Sequence, residues 1–227
     1  MRAVLIMAIM FGLSSTADGQ ESVLDRRINA DAPGAAVVWL PDGISGGMFA
    51  WRIAESASVP LVFEASPLDY RDPAVIARRI DLAGLTVREA LNILVAQDPL
   101  YQWEARDGTI VVRPISLSSN PNDPLNQKVS GVRGGRLHLE DLLARITAAV
   151  PGSSASPAPP AAVDPQEFRV EVPGGTVLDV LVAAARAHGS VMWSVPDVSR
   201  GPDQAGFSLG FMTFTGAGAG VRGPAAR

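Results

Sequence analysis

The sequence predicts an α+β protein built as two small repeated units, each a short mixed sheet with two helices packed on one face. Three observations carry that expectation. Residues 80–113 spell strand, capped helix and hairpin in succession; the same text recurs ninety residues later without a gap; and 47% of the 227 residues are hydrophobic, which suffices for real cores.

In the first copy Ile80 and Leu82 alternate with Arg79, Asp81 and Ala83 as a strand, which Gly84 breaks. Thr86-Val87-Arg88-Glu89 is a capping box, in which hydroxyl and carboxylate satisfy amide donors that a helix start leaves free. Val87, Ala90, Leu91, Leu94 and Val95 then form one apolar helical face, which must cover something. Asp98-Pro99 ends the helix, Tyr101 to Glu104 is β-rich, Asp107-Gly108 supplies a turn, and Thr109 to Arg113 returns as a second hairpin strand. In the second copy Val170 and Val172 stand for Ile80 and Leu82, Thr176 for Thr86, Val177 for Val87, Leu181 for Leu91 and Trp193 for Trp103. Asp179 takes the place of Glu89, and Val180, Leu181 and Ala184 continue the stripe.

Taken from the start, residues 1–19 read as a signal peptide: Arg2 is the basic region, Ala3 to Leu13 the apolar core, and Ala17-Asp18-Gly19 a small-x-small cleavage site. The apolar run is shorter than the ~20 residues of a membrane span, so the expectation is export without a transmembrane segment after signal cleavage, to the periplasm or the medium. The chain has no cysteine, hence no lipoprotein anchor and no disulfide; packing alone must stabilise it.

The first α+β domain is expected over residues 20–115. Gln20 to Ala30 gives a weak signal for a short helix or strand, and Val37 to Leu40 a buried strand closed by Pro41-Asp42-Gly43. Met48 to Ala57 reads as a helix, and Val59 to Glu64 as a strand that Pro60 confines to an edge or to its first residue. Ser66 to Pro73 is a loop. Residues 116–131, with SLSSNPND at their start, form the linker, and the second, divergent domain spans 132–215. There Leu139, Leu142, Leu143 and Ile146 make a helical stripe, followed by a Pro/Ala/Ser-rich insertion over 151–165 that is predicted to be a loop without a ladder. Strands over Phe168–Val172, Val191–Val195 and Phe207–Phe214 and a helix over Thr176–Ala187 complete the unit, and residues 216–227 are expected to be a disordered tail.

Net charge is −4, and the arginines are scattered beside the single Lys128, so nucleic acid is not an expected partner. Gly43-Ile44-Ser45-Gly46-Gly47 satisfies G-x-S-x-G between a strand and a helix, which raises an alternative, a periplasmic serine hydrolase using Ser45. A triad needs a base, and only His138 and His188 exist; two short α+β units also lack the long parallel sheet of the hydrolase fold. The favoured reading has Ser45 capping a helix entry. No catalytic, cofactor-binding or metal-binding residue is assigned and no cofactor is expected, since two histidines fifty residues apart with no cysteine give no zinc spacing. Gly218 to Gly223 matches G-x-G-x-x-G, but no helix follows to supply the dipole. Trp103 and Trp193 are expected in the two cores, whereas Trp51 is a candidate contact residue; with Tyr70 it would serve a further alternative, a small-molecule or glycan binder.

The order VPLVFEAS, then RRIDLAGLTVREALNILVAQDPLYQWEARDGTIVVRP, resembles the short N-terminal domain shared by bacterial secretins and TonB-dependent transducers, with its strand, "T-x-x-E-A-L" helix and aromatic hairpin. The likeness covers Gly46 to Pro114 and, more loosely, Val132 to Thr215. It implies a non-enzymatic role: small periplasmic sheets with helices on one face that dock onto other copies or onto a partner protein. The chain is therefore expected to be an exported interaction module of the cell envelope without a barrel, its partner an envelope protein or itself.

Overall fold

Along residues 22–29, 31, 36–39, 44–66, 78–150, 153–155, 166–195 and 207–214, which the computed structural model describes, the chain is α+β. The first half runs β1 (Ala36–Trp39), α1 (Ile44–Ala57), β2 (Leu61–Glu64), β3 (Arg78–Asp81), α2 (Val87–Gln97), β4 (Tyr101–Arg106) and β5 (Thr109–Pro114). A short helix α3 (Ile115–Ser118) and a 3-10 turn at Pro124–Asn126 lead into β6 (Lys128–Leu137), α4 (Leu139–Ala149), β7 (Ser153–Ala155), β8 (Phe168–Thr176), α5 (Val177–His188), β9 (Val191–Val195) and β10 (Phe207–Thr213). The halves have the same order of elements. They also have the same pairing: β1 with β3 and β6 with β8 antiparallel, β2 with β5 and β7 with β10 parallel, β4 with β5 and β9 with β10 antiparallel.

Local chemistry sets these elements. Glu89 Oε2 accepts from the Thr86 N–H at 2.7 Å while Thr86 Oγ1 accepts from the Glu89 N–H at 3.2 Å, and Thr176 and Asp179 repeat both bonds at the same lengths. Each helix thus starts on a filled capping box. Asp107 and Gly108 both have positive φ, at 49° and 79°, the conformation that a two-residue hairpin turn between twisted strands requires. Helix α1 begins at Ile44 rather than at the expected Met48, and so takes in Gly46 and Gly47. Two glycines in a first turn weaken a helix, but a Cβ at Gly47 would lie 2.8 Å from the Phe63 ring and one at Gly46 3.1 Å from Tyr101, so close approach to the sheet decides their identity.

The expectation of two separate small sheets is corrected. Three strands from each half join in one six-stranded sheet, β4-β5-β2-β9-β10-β7, through a parallel seam between β2 and β9. Leu61-Val62-Phe63 has apolar side chains on both faces, so β2 is stable only with cover on both sides and a strand along each edge. Pro60 stands immediately before it, and β2 is central, not an edge.

The seam also turns the second half over. β2 is parallel to both β5 and β9, while β9 is antiparallel to β10; the second half's strands keep their order and reverse their direction. Reversing direction at fixed order exchanges the faces of a sheet. Helices α1 and α2 accordingly pack on one face with Leu61, Tyr101, Ile110, Val112 and Met192, and α4 and α5 on the other with Val62, Val111, Trp193, Leu209 and Phe211. Each half keeps its helices on one side, and the molecule has them on both.

Residues 116–131 are not a free linker. Leu125 is fully buried, Asp123 is nearly so, and the Asp123 carboxylate caps the Leu125 N–H at 2.8 Å. This segment corresponds to the start of the first half, where Leu24 is buried, its N–H donates to Ser22 Oγ at 3.4 Å, and Arg27 bridges to Thr86 as Lys128 pairs with Thr176. The expected loop over 151–165 contains β7, three residues paired in parallel with β10. The leader at 1–19, the turn at Pro41 to Gly43, most of the 66–73 loop, the rest of the insertion and the tail at 216–227 lie outside the described residues.

Candidate functional site

Among the described residues the sheet ends on β4, and that strand borders a groove of about 510 Å³ at the meeting of the two halves. Alternation along β4 sends Tyr101, Trp103 and Ala105 toward the α1 and α2 face, and Gln102, Glu104 and Arg106 into the groove. Val111 and Leu178 form its apolar floor, and Asn126 and Asp179 stand on its far wall. Gln102, Glu104 and Ala105 are exposed; Trp103 and Arg106 are half-buried. The strand is anchored at its start, where Tyr101 stacks on Phe63 with ring centres 5.6 Å apart and its hydroxyl accepts from the Ser66 N–H at 2.8 Å.

Two ionic ties flank the groove. Arg106 Nη2 donates to Asp179 Oδ1 at 2.6 Å, joining the first half's hairpin to the second half's capping box. Partial burial works against the Asp179 charge, but the Thr176 amide and hydroxyl and the Arg106 guanidinium outweigh it and hold the carboxyl below its usual pKa.

The second tie is buried. Arg113 donates from Nε to Glu64 at 2.6 Å, from Nη2 to Asp123 at 2.8 Å and from Nη1 to Asn126 at 2.9 Å. Asn126 in turn donates to the carbonyls of Leu117, Ser118 and Asn120, so that one guanidinium fixes the whole segment from α3 to the 3-10 turn. Desolvation pushes the Glu64 carboxyl up to about 8; Arg113 opposes the shift, and the hydrogen bond and charge of Asp123 add to it.

The other residues singled out by the sequence are dispersed. Ser45 lies in the first turn of α1, and its side chain is outside the described set. His138 is the N-cap of α4 and lies 3.8 Å from Glu167; His188 ends α5, buried edge-on against Phe168 with Nδ1 3.2 Å from Ser190 Oγ. Trp51 is half-buried, with the Arg52 guanidinium 4.4 Å over its ring, and Tyr70 lies outside the described residues. Trp193 is fully buried as expected, but Trp103 is only half-buried: among the described residues β4 has a neighbouring strand on one side where β9 has one on each. Among the described residues no three potential ligands cluster to hold a metal, and no helix is long and apolar enough to cross a membrane.

The buried Glu64-Arg113-Asp123 cluster is absent from the sequence reading. Its signal was strand parity: Val62 and Glu64 share a face, as do Val111 and Arg113, so an inward Val62 and Val111 bring both charges inward. Comparison of the chain with family models, curated proteins and solved structures finds no match.

Proposed function

We propose that this chain is an exported, non-enzymatic protein-interaction module of the bacterial cell envelope that binds its partner through the edge of its sheet. One observation carries the reading: among the described residues the six-stranded sheet ends on an exposed strand, β4, beside a groove. An edge strand presents unpaired amides and carbonyls, and pairing a further strand there is a general mode of recognition. The resemblance to secretin and TonB-transducer N-terminal domains and the leader-like residues 1–19 support a periplasmic or secreted site of action.

Affinity capture from envelope extract with residues 20–227 tests it. The reading expects one envelope protein, or the chain itself, to be enriched in proportion to bait and at a dissociation constant of roughly micromolar or tighter. Enrichment of nothing overturns it, and so does labelling by a serine-reactive fluorophosphonate that Ser45→Ala abolishes.

A further inference from the structure

Among the described residues the sheet contains the same edge twice, once filled and once open. β9 stands in the second half where β4 stands in the first: each follows the capped helix, each leads the hairpin, and each carries the tryptophan, Trp193 opposite Phe211 and Trp103 opposite Val112. The far side of β9 is occupied by β2, running parallel, with Leu61 beside Met192, Val62 beside Trp193, Phe63 beside Ser194 and Glu64 beside Val195. Among the described residues no strand lies on the far side of β4. The tryptophans record the difference: Trp193 is 0% exposed and Trp103 is only half-buried.

We propose that β4 receives an extended segment of another protein, parallel to it, in the place that β2 takes on β9. This rests on the interaction reading above and specifies its partner. Carrying the β2 register onto β4 puts one partner side chain beside Trp103, on the apolar face, and the side chains before and after it beside Gln102 and Glu104, facing the groove. The segment that fits is therefore polar, then apolar, then basic, its cation set against the exposed Glu104 carboxylate.

A second copy is the wrong occupant. By the same rule it would offer β7, the counterpart of β2, but Ser153-Ser154-Ala155 has neither the apolar nor the basic side chain. Pro151 and Pro157 flank it, and proline has no amide to donate.

The test uses residues 20–227 and a synthetic peptide of residues 59–66, the chain's own β2 sequence with Leu61→Gln, in its Phe63→Lys and Phe63→Asp forms. The lysine form is expected to slow amide exchange across Gln102–Arg106 by roughly tenfold at saturation. It should bind about fivefold more tightly than the aspartate form, and Glu104→Lys in the protein should reverse that order. N-methylation of alternate peptide residues should weaken binding about fivefold for each amide that faces β4 and leave the others unchanged. Protection elsewhere or nowhere, an order indifferent to Glu104→Lys, or a dimer that Ser154→Pro dissolves overturns the proposal. If the peptide fails while a captured envelope protein cross-links to β4, this inference falls and the edge-binding reading stands; if capture fails as well, or the captured protein cross-links away from β4, both fall.

Discussion

Arg113 Nε lies 2.6 Å from Glu64 Oε2, with both side chains buried and Asp123 on the guanidinium's other arm. One cation faces two carboxyls, so if both are ionised a negative charge is left over in a site that water does not screen. Desolvation pushes Glu64 up to about 8, and the cluster is neutral when Glu64 holds a proton against Asp123.

That places a stability slope in an unusual window. The folded-state pKa lies above the ordinary value of 4.5, so between 4.5 and about 8 the folded chain binds more protons at Glu64 than the unfolded chain. Stability from this group is greatest below the ordinary value and falls as pH rises toward 8, by about 3 to 5 kcal/mol. Glu64→Gln keeps an acceptor for Arg113 and cannot ionise. Denaturant unfolding from pH 5 to 8.5 should show the slope in the parent and its loss in the variant, which becomes the more stable of the two above pH 8; equal slopes would contradict the buried acid.

Removing the cation should be worse than removing either acid. Arg113→Met leaves Glu64 and Asp123 buried without compensation, at a cost of about 3 to 5 kcal/mol, and releases the segment from α3 to the 3-10 turn that Asn126 ties to it. In a double-mutant cycle, Arg113→Met with Glu64→Leu should cost less than the sum of the two single changes. Amides of residues 117–126 should exchange faster in Arg113→Met, a local signature that general destabilisation does not give.

What the sequence made legible, and what it did not, follows from the range of each signal. The boxes at Thr86 and Thr176, the turn at Asp107-Gly108 and the stripes of α2, α4 and α5 are set by neighbours within a few residues, and they stand where the sequence puts them. The seam of β2 and β9 joins residues more than a hundred positions apart, and nothing local in LVFE or VMWSV names the partner strand. The groove inherits that gap, since it exists only where the first half's hairpin meets the second half's helix. The start of the second half was hidden for another reason: Asp123-Pro124-Leu125 carries the turn residues of a loop, and only the burial of Leu125 reveals a packed one.

Trp103 and Trp193 stand at the same place in their hairpins and should respond differently to truncation. Trp193 fills the core between Val62 and Phe211, its ring 5.7 Å from that of Phe211, so Trp193→Ala should cost about 3 to 5 kcal/mol. Trp103→Ala removes a half-buried ring from an edge strand and should cost about 1 kcal/mol. Chemical denaturation of both variants decides it. Equal losses would mean that β4 is covered in solution.

The two halves should unfold together. If each were a domain in its own right, calorimetry would resolve two transitions, and residues 20–121 would fold alone. The seam argues otherwise, because β2 pairs with β5 on one side and β9 on the other, and Val62 lies between Val111 and Trp193 in a single row across the sheet. Cutting the chain strips one side of β2 of its hydrogen-bonding partner and uncovers Val62 and Val111 on the face that α5 covers. It also leaves Arg113 and Glu64 without Asp123. A strand with three consecutive apolar residues and an open edge is prone to pair with other chains. Residues 20–121 are therefore expected to aggregate, and the whole chain to give one transition whose calorimetric and van't Hoff enthalpies agree. Two resolved transitions, or a soluble monomeric first half with native hairpin shifts by NMR, would show that the seam adds little and that the repeat units are independent.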